Sequence, residues 1–168
     1  MRAVKGLYNG AMPTQEPFRE LTEDALEAIY AHAVREYPRE CCGVVYGAVG
    51  ERMVGTVREG RNVQDELHEE DPQEFPRDAR TAYQLDAASL FEMNRSLGTE
   101  APARIVYHSH CEVGAYFSAS DQAAAQLGGE PIYPVEHVVI DVGAGGARGA
   151  VQFGWDEGAR AYVEVRRY

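Results

Sequence analysis

Apolar and polar positions alternate between helical and strand periods along the chain, and the switches between them mark the elements. Residues 1–20 mix glycine, proline and charge without a clear period and read as an N-terminal arm, with a strand at Ala3–Tyr8. Thr22 then caps a helix whose apolar face is Leu26, Ile29, Tyr30, Ala33 and Val34, with Glu23 and Asp24 set against its dipole. Tyr37-Pro38 stops it, because a residue before proline is pushed out of the helical region. Glu40-Cys41-Cys42-Gly43-Val44-Val45-Tyr46-Gly47 reads as a strand, with Val54–Val57 as its hairpin partner around Gly50-Glu51. Ala82–Leu85 reads as a short strand. Asp86 then caps a helix through Leu97, with Leu90, Phe91, Met93, Asn94 and Leu97 as its stripe and Gly98 as its C-terminal cap.

The most distinctive stretch runs from Arg104 to Gln126. Ile105-Val106-Tyr107 is a strand carried into His108-Ser109-His110, and Ser118 to Asp121 opens a helix that Gly128-Gly129 ends. Three β-rich runs complete the chain, at Glu136–Val142, Ala147–Phe153 and Arg160–Val165. Helices alternating irregularly with hairpin-linked strands predict an α/β sandwich around a mixed sheet.

At 168 residues, with 45% apolar and 26% charged side chains, the composition is that of one globular domain. Its net charge of -11 argues against a partner made of phosphate backbone, so no nucleic acid is expected. No apolar run reaches membrane length and none follows a basic start, so neither a membrane nor a secretory signal is expected. Three cysteines, Cys41, Cys42 and Cys111, do not make a disulfide framework, and the expected compartment is the cytoplasm. Asn62–Arg80 is strongly acidic. It reads as a solvated loop, and its length also suits a wall that receives a partner.

His108 and His110, two apart on a strand, project to one face while Ser109 projects to the other. Asp121, in the first turn of the next helix, can fold back over that strand end. Two imidazoles and one carboxylate leave zinc a fourth position for water, which is the geometry of a catalytic site. Ser118-x-x-Asp121 is also a capping box, so the spacing alone leaves both readings open.

His108-Ser109-His110, seven residues, Ser118, two residues and Asp121 together resemble the signature of the JAMM metalloproteases, the catalytic branch of the MPN (JAB) domain. Glu40 in E-C-C-G-V-V-Y-G resembles that family's upstream glutamate motif, and the order of elements over about residues 20–155 is similar. The resemblance implies an MPN-like mixed, largely antiparallel curved sheet flanked by helices, formed by residues 21–168 as a single domain. It implies one zinc per chain held by His108, His110 and Asp121. Glu40 is then the general acid/base, and Ser118 the donor to the oxyanion.

The implied activity is hydrolysis after the C-terminal Gly-Gly of a ubiquitin-like or sulfur-carrier protein, that carrier being the expected partner. The acidic Asn62–Arg80 segment is the candidate contact for the carrier's folded body, and a homodimer stays open. A non-catalytic MPN scaffold and a zinc hydrolase of small amides are the alternatives; the complete ligand set speaks against the scaffold.

One departure stands out: Cys111 replaces the proline that usually follows the second histidine. It is either a small buried substitute or a thiol beside the metal acting as a redox brake. For the remaining residues the expectations are plain. Cys42 packs in the core, Ser109 orients its strand, and His137 faces solvent or its strand neighbours. His68 is solvated and His32 lies on the first helix's exposed flank. Trp155, Tyr116 and Phe117 serve as aromatic packing or as the floor of a groove.

Overall fold

The computed structural model describes residues 18–168; the strand expected at Ala3–Tyr8 lies outside them. β1 (Glu20–Leu21) leads into α1 (Glu23–Glu36), which Thr22 caps as expected, its hydroxyl accepting from the Ala25 amide at 3.2 Å. The buried face of α1 is Ala25, Ile29, His32 and Ala33, while Val34 is 47% exposed. Two expectations are corrected here, since Val34 lies on the solvent side and His32 is in the core. The face turns toward His32 because its Nδ1 meets the buried Tyr107 hydroxyl at 2.8 Å, which satisfies both polar groups away from water. At Tyr37 the backbone becomes extended, with ψ at 133°, and the helix ends.

Next come β2 (Cys42–Tyr46), β3 (Met53–Val54) and β4 (Thr56–Gly60). The hairpin partner of β2 is β4, so of the expected Val54–Val57 only Thr56 and Val57 pair with it. Val54 instead pairs in parallel with Leu21, and Gly55 separates β3 from β4 at a point where a Cβ would lie 2.8 Å from the Thr22 hydroxyl oxygen. The acidic stretch is not all loop. It contains α2 (Gln64–Glu70), whose buried Gln64 donates to the Arg77 carbonyl at 2.7 Å. The strand expected at Ala82–Leu85 reduces to a single bridge between Leu85 and Asn62, for no longer partner runs beside it.

α3 (Ala87–Ser96) starts at Asp86 as expected, the carboxylate accepting from the Ala88 and Ser89 amides. Met93 faces inward and Phe91, 64% exposed, does not; Leu97 rather than Gly98 is the C-cap. After β5 (Ala103–Cys111) comes α4 (Ala119–Ala125). This helix stops before Gly128-Gly129, which form the turn between β6 (Gln126–Leu127) and β7 (Glu130–Pro131). Both glycines have positive φ, 64° and 78°, as a two-residue hairpin turn of this kind requires. β8 (Glu136–Gly143), β9 (Gly146–Asp156) and β10 (Ala161–Arg167) finish the chain.

Six strands form one sheet in the order β10-β9-β8-β5-β2-β4, antiparallel throughout except for the parallel β5–β8 pair. Strand alternation sorts its side chains onto two faces. Ile105, Tyr107, Val138 and Ile140 meet Ile29 and Ala33 of α1 on one face. On the other, Cys42, Val44 and Val106 pack with Met93 of α3, and Val139 and Val151 lie with Phe153 and Tyr162. Residues 18–21 are laced to the sheet: the Arg19 amide donates to Glu136 at 2.9 Å, and Gln152 donates to the Arg19 carbonyl at 2.8 Å. Among the described residues no helix is long and apolar enough to cross a membrane.

Candidate metal centre

β5 delivers both histidines to the face opposite α1. Ser109, pointing the other way, accepts from the Cys41 amide at 2.8 Å and pins β5 to the start of β2, as expected of a strand-orienting residue. Asp121 comes from α4, where Ser118 and Asp121 form a reciprocal capping box. The Ser118 amide donates to Asp121 Oδ2 at 2.8 Å, and the Asp121 amide donates to Ser118 Oγ at 3.1 Å. The two readings of Ser118-x-x-Asp121 are therefore not alternatives, because the carboxylate that closes the box also faces the histidines.

His108 Nε2 and His110 Nε2 lie 3.2 Å apart, and each is 3.6 Å from an Asp121 carboxylate oxygen. One potential ligand atom from each of the three side chains falls within 4.8 Å of the others, and all three residues are buried in the site. His110 Nδ1 lies 3.1 Å from the Gly114 carbonyl, an acceptor, so Nδ1 carries the proton and Nε2 turns its lone pair inward. Two imidazole nitrogens at 3.2 Å repel unless a proton or a cation sits between them.

The titration pattern follows from that crowding. Burial lowers the His108 pKa, whereas Asp121 and then Glu40 raise that of His110 against the opposing effect of burial. Burial also works against ionisation of Asp121, but hydrogen bonds with His108, His110 and Ser118 hold it well below the usual carboxylate range. An anionic carboxylate with two inward imidazoles is the donor set of a divalent metal site, and it fits zinc.

Glu40, 5% exposed, stands beside this group. Burial, reinforced by Asp121 and opposed by His110 and Arg77, raises its pKa to about 7. Its amide donates to the Ala79 carbonyl at 2.7 Å, and the Ala79 amide donates to Asp65 Oδ1 at 2.7 Å. Asp65, grouped by sequence with the partner-facing acids, thus helps to hold the backbone of Glu40. A cavity of about 190 Å³ is walled by Glu40, His110, Ser118 and Asp121, and by Arg77 and Tyr83.

Several residues differ from expectation. The Ser118 hydroxyl donates to Asp121 Oδ2 at 2.6 Å, so its single proton is committed inside the capping box. Cys111 sits one residue past His110 on the α1 face and packs with that core, which fits the first of its two expected roles and turns the thiol away from the candidate ligands. Burial also raises it to about 11, which keeps it protonated at neutral pH. His137 takes the second of its two expected settings, buried with its ring against Phe117 and Tyr162. His68 is tied to the Phe75 carbonyl at 2.6 Å. Cys42 is core packing, as expected. Tyr83, stacked on His108 at 4.3 Å, was missed; nothing local in the sequence marks it. Tyr116 lies edge-on to His110, and Trp155 packs on Tyr162.

The family of prokaryotic homologs of the JAB domain matches residues 22–153. CysO-cysteine peptidases of Mycobacterium bovis and Mycobacterium tuberculosis are each 32% identical over 100 residues, 58% of this chain. The match spans 59% of the length of these curated relatives. A solved structure from Salinibacter ruber superposes with a TM-score of 0.57 at 21% identity, covering 88% of both chains. One from Desulfitobacterium hafniense gives 0.56 at 17% identity, covering 87% of this chain and 88% of that one. At such identities these two structures speak for the fold alone. With the family match running through α1, β5 and most of β9, this chain belongs to the prokaryotic JAB-domain family.

Proposed function

We propose that this protein is a zinc-dependent peptidase that hydrolyses the bond after the C-terminal Gly-Gly of a ubiquitin-like or sulfur-carrier protein. The observation that carries the reading is the convergence of His108, His110 and Asp121 beside a cavity that Glu40, His110 and Asp121 line. The mycobacterial relatives, named as CysO-cysteine peptidases, support a carrier joined to a small leaving residue.

His108 and His110 would hold the ion through Nε2 and Asp121 through a carboxylate oxygen, the three protein ligands of a catalytic zinc site. When bound, zinc supplies a Lewis acid that polarises the scissile carbonyl and brings the pKa of water to about 7. Glu40 accepts the proton of the attacking water on its carboxylate and returns it to the departing amine. A pKa raised to about 7 suits both transfers, since neither protonation state is then far out of reach at neutral pH. Ser118 is the donor to the oxyanion. For that role its hydroxyl turns away from Asp121, which keeps the Ser118 amide as a hydrogen-bond donor. Glu69 and Glu70, exposed at the end of α2, would meet the folded body of the carrier.

The test is cleavage of a carrier ending in Gly-Gly-X by the zinc-loaded chain, followed by mass spectrometry. Release of X and a free Gly-Gly terminus is expected from the native protein and not from Glu40→Gln. Turnover of small amides alone, with the carrier left intact, would contradict the carrier reading.

A further inference from the structure

The cavity beside Glu40 and Asp121 does not stop at the metal ligands. Its wall continues over Leu90 and Met93 of α3 to Val106, Tyr133 and Val135, an apolar lining, and to His137. The register explains why His137 faces this space. It pairs with Val106 in the parallel β5–β8 ladder, so it shares the face of Val106, His108 and His110.

His137 is only 6% exposed, and its Nδ1 has no hydrogen-bond partner among the described residues. The neighbouring Tyr162 hydroxyl donates to the Val135 carbonyl at 3.2 Å and makes no hydrogen bond to that nitrogen. An unpaired buried polar group destabilises the fold, and a phenylalanine of similar shape would avoid that cost. The ring lines the apolar end of the chamber, and its unpartnered nitrogen is what a ligand with a matching polar atom would complete.

Size and charge narrow the ligand. An apolar cavity of roughly 150 Å³ takes up one benzene ring. The whole cavity of about 190 Å³ also includes the space beside Glu40 and Asp121, so its His137 end has room for no more than a small side chain. Burial pushes the His137 ring down to about 3, which keeps it neutral, with one donor and one acceptor nitrogen. Such a ring suits a neutral hydroxyl or thiol and not a carboxylate.

We propose that His137 and the apolar wall around it form the pocket for the side chain of the leaving residue, selecting cysteine, serine or threonine. The assignment rests on the peptidase reading above: Gly-Gly on the acyl side has no side chain to place there, which leaves the chamber to the other side of the bond.

The experiment compares carriers ending in Gly-Gly-Cys, Gly-Gly-Ser and Gly-Gly-Ala, cleaved by the native chain and by His137→Phe. The native chain should prefer cysteine and serine over alanine by at least about tenfold in kcat/KM, because a site built to hydrogen-bond a substrate discriminates against one that lacks the group. His137→Phe should bring that ratio close to one while its substrate-free melting temperature holds or rises. A ratio that survives in His137→Phe overturns the assignment, and a fall in melting temperature with the ratio intact identifies the ring as structural. If no carrier is cleaved, the peptidase reading fails separately. Binding then decides the pocket: titrating the zinc-loaded chain with L-serine should move the His137 ring signals in NMR and L-alanine should not. Unmoved signals overturn the pocket.

Discussion

Cys42 stands directly opposite His108 in the antiparallel β2–β5 pair, so Glu40, two residues earlier on the same face, reaches the level of His110. Sheet register thus delivers the candidate acid/base to the candidate ligands. A slip of one residue would turn Glu40 to the α1 side.

That register depends on Gly43. A Cβ there would lie 2.5 Å from the Tyr107 ring and 2.6 Å from the Arg58 carbonyl. Neither neighbour can yield easily, since one is a buried ring bonded to His32 and the other is backbone. Gly43→Ala is expected to cost about 1–3 kcal/mol or more, read as a lower denaturant midpoint. An unchanged midpoint would show that the close approach is not tight.

Asp65 anchors the same residue from the other side. It accepts from the Ala79 amide and pairs with Arg39 at 2.8 Å, while Ala79 receives the Glu40 amide. Asp65→Ala should lower kcat roughly ten- to a hundredfold by letting Glu40 drift, with zinc content unchanged. Glu69→Ser with Glu70→Ser should spare kcat and raise KM for a folded carrier. Equal kcat in Asp65→Ala and the native chain would remove Asp65 from this role.

Burial of Glu40 also predicts a pH dependence of stability in the zinc-free chain. Its folded pKa, about 7, lies above its ordinary 4.5, so the folded state holds the proton more tightly than the unfolded one. Its favourable contribution is complete below pH 4.5 and is lost as pH rises through 7. At pH 8 zinc-free Glu40→Gln should therefore be more stable than the native chain by on the order of 3 kcal/mol, with the gain vanishing near pH 4. Chelator-treated protein unfolded in urea at both values checks this. A constant difference between them would contradict it.

What local spacing encodes was legible: the Thr22 and Asp86 caps, the strand through His108-Ser109-His110 and the helix start at Ser118 all lie where the sequence puts them. What depends on a distant partner was not. The inward turn of His32 follows from Tyr107, 75 residues away, and the burial of His137 follows from the parallel pairing of β5 with β8. Glu40 could be named by its motif, but the Asp65–Ala79 contacts that hold it could not, because they join residues with no common period. Cys111 shows the same limit, for its identity suggested chemistry and its strand parity removed it from the site.

The central claim is that His108, His110 and Asp121 bind one metal ion while Glu40 works beside it without being a ligand. Metal analysis of the purified native chain, Asp121→Ala and Glu40→Gln tests this most directly. The account predicts one zinc per chain in the native protein and in Glu40→Gln, and almost none in Asp121→Ala. Full zinc in Asp121→Ala, or its loss from Glu40→Gln alone, would contradict it.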